Sequence, residues 1–349
     1  TELLTLHCLK DKCKRIIFLV IKHLFRLDPN RIRVICDWFI NQVRSEKDAE
    51  PAKKKSSAQY WSEHLVPHED WPDASESLNY FSWRNLQYPG YIELMPVCDA
   101  DNLTVMDYGC GPGNDLVGFH EFSNPIHLIG LDVSNKALAV AHRRALLHGL
   151  DVSLIRLEEE LNQIPIASNS VDLVHSSGVL HHVKNLPAVL AEIKRVMKCG
   201  ARLQIMVYNY QSIWLHLYTA YVHQIEMGLY KHIPLLEAFR RTTDGSECPI
   251  SKCYRPAEFL ELMASMGFEG RFKGAAVSLL ELELMSKRFQ AIKSRQLAKE
   301  HREFLSSLTF NEKGYPMIEG HVAGIAGCYE FRKAPPETSN GKTLLGSDS

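Results

Sequence analysis

The sequence predicts an α/β protein with an open, mostly parallel sheet of seven strands. From residue 103 onward, short apolar segments alternate with amphipathic segments, a pattern typical of parallel strands joined by crossover helices. A glycine-rich turn follows the first apolar segment, and polar residues end several others. In sheets of this kind, ligands bind beyond the carboxyl ends of the strands, near the point where the strand order reverses.

The predicted elements follow these segments in chain order. Ser134 is placed to cap one helix, Gly200 to end another, and a third helix is predicted over 212–227. A long helical stretch is predicted over 277–305, between a sixth and a seventh strand that pair as a hairpin. The seven strands are predicted at 103–108, 126–131, 152–157, 171–175, 202–208, 268–272 and 327–332.

The turn after the first strand is rich in glycine. Gly109, Gly111 and Gly113 allow the backbone to turn tightly and to approach a ligand closely. A dinucleotide-binding loop would have a third glycine where Asn114 stands, and Pro112 also departs from that pattern. A glycine-rich loop alone is a weak signal, but this one does not favour a pyrophosphate ligand.

Two aspartates accompany the loop. Asp107 precedes the first glycine by two residues, where a carboxylate would repel a pyrophosphate but can organise an ammonium group. A zwitterionic or cationic ligand is therefore favoured. Asp132 ends the second strand, and its carboxylate can accept hydrogen bonds from both hydroxyls of a ribose. Helix capping is the alternative interpretation of Asp132.

Several linked segments resemble the motifs of class I S-adenosylmethionine-dependent methyltransferases. These segments are 105–113, 130–134, and 161–165 with 172–174. The stretch 178–183, followed by 191–198, resembles the branch that methylates small molecules and lipids. The resemblance covers 103–210 and implies a Rossmann-like fold, methyltransferase activity and S-adenosylmethionine as cofactor.

The resemblance also implies roles for individual residues. It implies that the methionine part of the cofactor is held by Asp107, Gly109, Cys110, Gly111 and Gly113. It further implies ribose binding by Asp132, adenine packing by Val133, and a place in the adenosyl pocket for Ser177. Glu160 and Leu161 would flank the adenine amino group, with Glu159 as the alternative to Glu160. A solvated acidic turn is the other interpretation of 158–160.

Transfer of a methyl group from a sulfonium mainly requires alignment of the acceptor. If the acceptor is a hydroxyl, a general base helps, and histidine has a suitable pKa. His181 and His182 follow the fourth strand and Asn209 follows the fifth, so these three residues are the catalytic candidates. The alternatives are a structural histidine pair and a helix cap at Asn209. Cys248 is predicted to be a bystander, because methyl transfer needs no enzyme thiolate.

The charge and composition divide the chain into regions. Residues 1–55 hold 13 Lys and Arg against 7 Asp and Glu, and are predicted to form a basic amphipathic helical extension and linker. Residues 56–102 are predicted to be an aromatic-rich helical cap, in which Trp83 and Arg84 either close over a carboxylate or pack on a surface helix. The methyltransferase core is predicted at 103–332 with insertions at 210–254 and 277–320, and a disordered tail at 333–349.

The overall composition narrows the function further. The net charge of −1 argues against a dedicated nucleic-acid binder, and the odd number of scattered cysteines, nine, favours a cytoplasmic protein. No Cys-x-x-Cys pair is present, and no metal site is predicted. The expected acceptor is a small molecule, a lipid or a glycan, with O-methylation favoured. Residues 10–44 are predicted either to touch a membrane surface or to pack as a cap. The alternative to an enzyme is a non-catalytic scaffold that binds the cofactor or associates with a membrane.

Overall fold

The computed structural model describes residues 55–64, 71–158 and 161–334. The described residues all belong to the compact unit Lys54–Ser349. The predicted N-terminal helices with their membrane contact at 10–44, the residues Glu159 and Glu160, and the tail beyond Ala334 lie outside the described residues. Within the described residues, no helix combines the length and the apolar character needed to cross a membrane.

The described part of the chain contains a mixed sheet and a small second sheet. The strands are β1 (Thr104–Tyr108), β2 (His127–Asp132), β3 (Ser153–Arg156), β4 (Val171–Ser177), β5 (Met197–Asn209), β6 (Cys253–Tyr254), β7 (Phe268–Ala276), β8 (Thr309–Phe310), β9 (Pro316–Ile318), β10 (His321–Val322) and β11 (Ala326–Lys333). The main sheet has the spatial order β3-β2-β1-β4-β5-β11-β7, with the short β6 paired to the end of β5.

The predicted mostly parallel seven-stranded sheet is confirmed. Strands β1 to β5 pair in parallel, whereas β11 runs antiparallel to both β5 and β7. The last two predicted strands are thus neighbours, as expected for a hairpin. The strand order reverses between β1 and β4, so the carboxyl ends of these two strands flank the switch point.

Helices cover the sheet and connect its strands. The described α-helices are Ser57–Glu63, Ala74–Leu86, Tyr91–Leu94, Asn114–Phe122, Asn135–His148, Leu186–Val196, Leu235–Thr243, Pro256–Ser265, Leu279–Leu284, Arg288–Lys293 and Lys299–Ser307. Leu180–His182 and Met285–Lys287 are 3₁₀ turns, and Trp214–Glu226 is a π-helix. The Ser134 side chain accepts from the Ala137 amide, which satisfies one of the free donors at the start of its helix, as the sequence predicts.

The core lies on both faces of the sheet, because successive side chains of a strand point to opposite faces. On β1, Val105 packs in one apolar cluster with Phe119 and Phe81, while Met106 packs in another with Leu190. Phe81 comes from the aromatic-rich segment, so its helix Ala74–Leu86 is anchored on the sheet. Each such fully buried side chain contributes about 1.5–3 kcal/mol relative to exposure.

The predicted long helical stretch over 277–305 is divided in the structure. It consists of Leu279–Leu284, a 3₁₀ turn, Arg288–Lys293 and Lys299–Ser307, and the small antiparallel sheet β8–β10 follows it. The buried Arg288 side chain donates to the carbonyls of Leu305 and Leu308, at 2.6 and 3.2 Å. These bonds satisfy carbonyls at the end of the last helix and hold it folded back on Arg288–Lys293. Helical periodicity does not show where such a stretch folds back.

Candidate cofactor and acceptor site

A cavity of about 970 Å³ lies at the carboxyl ends of β1, β2 and β4. Its volume is at the upper end of the range for small-molecule sites. Residues of the glycine loop and the strand ends form one side, and residues of the preceding helices and of the segment after Leu235–Thr243 form the other. The predicted site residues that line it are Asp107, Gly109, Cys110, Gly111, Asp132, Val133, Ser177 and His182.

The glycine loop is held against β2 by its own backbone. The amides of Gly109 and Cys110 both donate to the Leu131 carbonyl, at 2.7 and 2.9 Å. Gly109 has φ +82°, and a Cβ there would lie 2.3 Å from a methyl group of Val179. Gly111 has φ +52°, and a Cβ there would meet no atom within 4 Å, so its backbone is open to the cavity. The loop therefore has both the tight packing and the open surface that close approach of a ligand requires.

Replacing Gly109 by alanine is expected to weaken cofactor binding strongly. The variant adds a left-handed alanine, which costs about 1 kcal/mol, and a methyl group that overlaps Val179. Gly149→Ala is the matched control, because Gly149 has φ +61° but open space around its Cβ position. Calorimetric titration with S-adenosylhomocysteine and thermal melting would compare the two variants. Equal affinity in both would contradict the role of close packing at Gly109.

Asp132 is 9% exposed and ends β2 beside the loop. Its Oδ2 accepts from the Gly111 amide at 2.9 Å and its Oδ1 from the Ser134 amide at 2.8 Å. Burial raises the pKa of Asp132, and the backbone amides of Ser134 and Gly111 oppose that effect. Each carboxylate oxygen retains a second lone pair, so Asp132 can anchor the loop and still accept hydroxyl groups from a ligand.

Asp107 is 2% exposed and lies at the floor of the cavity on β1. Burial raises the pKa of its carboxyl to about 7, with the nearby His175 acting in the opposite direction. A cation that entered the cavity would favour the ionised form. The side chain thus has the position and the electrostatics to bind an ammonium group.

A buried charged network borders Asp107. Arg84 Nη1 contacts Asp115 Oδ1 at 2.9 Å, and Asp115 Oδ2 lies 3.3 Å from His175 Nε2. Burial would raise the pKa of Asp115, but Arg84 and His175 outweigh it and lower that pKa. Burial lowers the pKa of His175, but its contacts with Asp115 dominate, so the net shift is upward. Arg84 also donates to Ser177 Oγ at 3.3 Å, which fixes its guanidinium at the cavity wall.

Sequence reasoning identifies this network only in part. Arg84 is a candidate from the sequence, but Asp115 and His175 are not singled out. Asp115 is the second residue of the helix that the glycine loop begins, and His175 is near the end of β4. An acidic residue beside a glycine loop that favours a cation is the signal that could have identified Asp115.

Several predicted residues do not line the cavity. Gly113 caps the helix Asn114–Phe122 with φ +80° and faces Ala141. Leu161 is 63% exposed. Glu160, together with its alternative Glu159, lies outside the described residues. The structure therefore places Gly109, Gly111 and both aspartates in one site, but neither Gly113 nor Leu161.

The three catalytic candidates have different surroundings. Asn209 is fully buried, and its amide donates to the carbonyls of Gln211 and Gly324 at 3.0 Å each. His181 is also fully buried, and neither ring nitrogen has a hydrogen-bond partner among the described residues. Burial lowers the pKa of His181 well below its ordinary value, and the adjacent His182 adds to that effect. Neither Asn209 nor His181 reaches the cavity, so we do not assign a catalytic role to them.

His182 does line the cavity. The edge of the Trp61 ring packs against it, with ring centroids 4.8 Å apart, and its Nδ1 contacts the Ile250 carbonyl at 2.7 Å. Cys248 lies beside it and is 2% exposed. Burial raises the pKa of the Cys248 thiol to about 12, so the thiol alone is not a nucleophile near neutral pH.

Comparison with known proteins identifies the central part of the chain. A family model described as a methyltransferase domain matches residues 99–226. Residues 99–226 belong to a methyltransferase family. The family predicted from the loop, Asp132 and the following motifs is thereby confirmed, together with S-adenosylmethionine as the cofactor of that family.

Two curated relatives illustrate the similarity of this methyltransferase domain. The 27-O-demethylrifamycin SV methyltransferase of Amycolatopsis mediterranei is 26% identical over 147 residues, which cover 42% of this chain and 52% of the relative. A ubiquinone/menaquinone biosynthesis C-methyltransferase of Dinoroseobacter shibae is 28% identical over 105 residues, which cover 30% of this chain and 42% of the relative. The chain thus spans about half the length or less of these relatives.

Solved structures also resemble the chain. A S-adenosylmethionine-dependent methyltransferase of Thermotoga maritima, described as a possible histamine N-methyltransferase, aligns with a TM-score of 0.45 at 15% identity. That alignment covers 80% of this chain and 100% of the other chain.

Proposed function

We propose that this chain is an S-adenosylmethionine-dependent methyltransferase that acts on a small-molecule or amphiphilic acceptor. The observation that carries the proposal is the cavity in which the open Gly111 backbone, Asp107 and Asp132 meet. The open Gly111 backbone suits close approach of the methionine chain of the cofactor. The carboxylate of Asp107 suits its ammonium group, and the carboxylate of Asp132 suits its ribose. The family match at 99–226 supports the same assignment.

Each residue has a distinct task in this proposal. Asp107 binds the cofactor ammonium, Asp132 accepts hydrogen bonds from the ribose hydroxyls, and Val133 packs on the adenine. The bound cofactor supplies an electrophilic methyl group on a positively charged sulfur. The protein then has to exclude water and to hold the acceptor atom in line with that methyl group. Ser177 and Arg84 close the cavity wall on the side of β4.

The acceptor binds at the end of the cavity near His182. Trp61, Val179 and Ile250 line this end, and their side chains favour an apolar or aromatic portion of the acceptor. The names of the two relatives specify different acceptor atoms, an oxygen and a carbon. We favour O-methylation, because a hydroxyl acceptor must lose a proton and His182 is the predicted catalytic residue at this end. A small-molecule, lipid or glycan acceptor fits these features better than a nucleic acid.

Calorimetric titration with S-adenosylmethionine and S-adenosylhomocysteine tests the cofactor site. Asp132→Ala removes the carboxylate that we assign to the ribose, and two charge-assisted hydrogen bonds correspond to a loss of affinity of about 100-fold or more. Asp132→Asn keeps the shape of the side chain and is expected to show a smaller loss.

Asp172→Asn is the matched control for these variants. Asp172 also accepts a backbone amide, from Thr104 at 3.0 Å, but it lies near the opposite end of the sheet. This variant is expected to bind the cofactor as the wild type does. Absence of binding by the folded wild-type protein would refute the proposed function, and unchanged affinity in Asp132→Ala would refute the assigned site.

A further inference from the structure

Three side chains that can ligate a metal meet beside the acceptor end of the cavity, and of these His182 lines the cavity itself. They are the imidazole of His182, the carboxylate of Asp244 and the thiol of Cys248, with ligand atoms within 4.8 Å of one another. The side chains of His182 and Asp244 are 6% and 7% exposed, and Cys248 is 2% exposed. Burial of these three polar groups costs desolvation free energy, which coordination of a metal ion would offset.

The hydrogen bond of His182 determines which ring nitrogen can bind a cation, and the Cys248 Sγ lies 3.9 Å from the other nitrogen, Nδ1. Nδ1 lies 2.7 Å from the Ile250 carbonyl, which can only accept, so Nδ1 carries the hydrogen. Nε2 of the neutral ring then presents a lone pair. It faces Asp244 Oδ1 at 3.8 Å, which is too long for a hydrogen bond. A cation between Nε2 of the neutral ring and Asp244 Oδ1 would be bound by both.

The carboxylate of Asp244 is also held in place. The Tyr208 hydroxyl donates to Oδ1 at 2.9 Å, and the Thr243 hydroxyl donates to Oδ2 at 2.7 Å. Metal-binding histidines typically donate their other ring hydrogen to a carbonyl or carboxylate, and metal-binding carboxylates are typically hydrogen-bonded in turn. Both features are present here before any metal is bound.

We propose that His182, Asp244 and Cys248 bind a divalent transition metal ion of the zinc type. Nitrogen, sulfur and carboxylate oxygen together favour zinc over magnesium or calcium, which prefer oxygen alone. Two nitrogen or oxygen ligands of a tetrahedral zinc ion lie about 3.3 Å apart. The observed 3.8 Å between Nε2 and Oδ1 therefore needs to shorten by only a few tenths of an ångström.

Such a site would have three protein ligands and a fourth position open to the cavity that His182 lines. Catalytic zinc sites commonly have this arrangement. If the proposed function holds, the metal would lower the pKa of an acceptor hydroxyl bound at the fourth position, and the hydroxyl proton would pass to water in the cavity. His182 would then act as a ligand and not as a free base. This proposal departs from the sequence prediction of no metal site. Residue spacing does not show the cluster, because Cys248 and His182 lie 66 residues apart in the sequence.

The test is a titration of the full-length, metal-free protein with zinc, together with cobalt substitution. One equivalent of metal and a near-ultraviolet sulfur-to-cobalt charge-transfer band are expected. Cys248→Ser should lose that band and, like Asp244→Asn, should bind zinc about 100-fold more weakly, as expected when a buried ligand is lost. Cys253→Ser is the matched control, since Cys253 is also largely buried but is not part of the cluster.

Thermal melting shows whether each variant is folded, and titration with S-adenosylhomocysteine separates this proposal from the proposed function. Metal binding that depends on Cys248, in a protein that does not bind the cofactor, would support the metal site and refute only the proposed function. Cofactor binding without stoichiometric zinc binding would overturn the metal site. Equal zinc affinity in Cys248→Ser and Cys253→Ser, both of them folded, would overturn it as well.

Discussion

The affinity for S-adenosylmethionine is expected to fall about tenfold for each pH unit below pH 7. Burial raises the pKa of Asp107 to about 7, so its carboxyl is protonated below that pH. The cofactor ammonium favours the ionised form, and a protonated carboxyl has to lose its proton before it can bind the cation. Above pH 7 the affinity should become independent of this group. Calorimetry at several pH values, in buffers with different ionisation enthalpies, would measure both the affinity and the linked proton release.

Asp107→Asn provides the control for this prediction. It is expected to weaken cofactor binding but to stabilise the ligand-free protein. The variant should bind the cofactor weakly, with little pH dependence between pH 6 and 8. Because the folded-state pKa of Asp107 lies above its unfolded value, ionisation of Asp107 destabilises the ligand-free fold as the pH rises from about 4 to 7. The ligand-free variant should therefore melt at a higher temperature than the wild type at pH 8, and at a similar temperature at pH 4. A cofactor affinity that is flat across pH 6 to 8 in the wild type would rule out the assigned role.

The sheet and the loop side of the site are predictable because their signals are local. A strand that is buried on both faces is a continuous apolar run, and β1 and β2 end in residues that belong to recognisable motifs. Gly109, Gly111, Asp107 and Asp132 lie within these motifs. Parallel pairing brings the ends of β1, β2 and β4 together, so the sequence order of the motifs is sufficient to place them in one cavity.

The acceptor side depends on tertiary packing that no local pattern encodes. His181 and His182 are adjacent in sequence, but the 3₁₀ turn Leu180–His182 buries the first ring and brings the second to the cavity. Asp244 reaches His182 only because Leu235–Thr243 ends beside it. Asn209 is the last residue of β5, and its side-chain amide donates to the Gly324 carbonyl instead of facing the cavity. Which residue of a polar pair faces a ligand is decided by such distant contacts.

Replacement of Arg84 by methionine is expected to be the most destabilising of these substitutions. Arg84 and Asp115 form an ion pair with side chains 28% and 8% exposed. Removal of one partner of a buried pair leaves an uncompensated charge and typically lowers the free energy of unfolding by about 3–5 kcal/mol. His175 remains beside Asp115, so the loss should lie near the lower limit. It should be larger at pH 8 than at pH 5, because protonation of His175 at lower pH compensates the Asp115 carboxylate.

Urea denaturation of the ligand-free protein would measure these changes in the free energy of unfolding. They are read from the shift in the urea concentration at the midpoint of unfolding. Lys299→Met is the matched control, because its ion pair with Glu303 is exposed, at 81% and 65%, and should contribute about 0.5 kcal/mol or less. The double variant Arg84→Met/Asp115→Asn should recover part of the stability, since it removes the unpaired carboxylate. If Arg84→Met and Lys299→Met unfolded at the same urea concentration, the ion pair of Arg84 with Asp115 would not stabilise the protein as a buried ion pair does. In that case Arg84 would be held at the cavity wall only by weak contacts such as those with Ser177 and the Tyr91 ring, and it could move toward a ligand carboxylate.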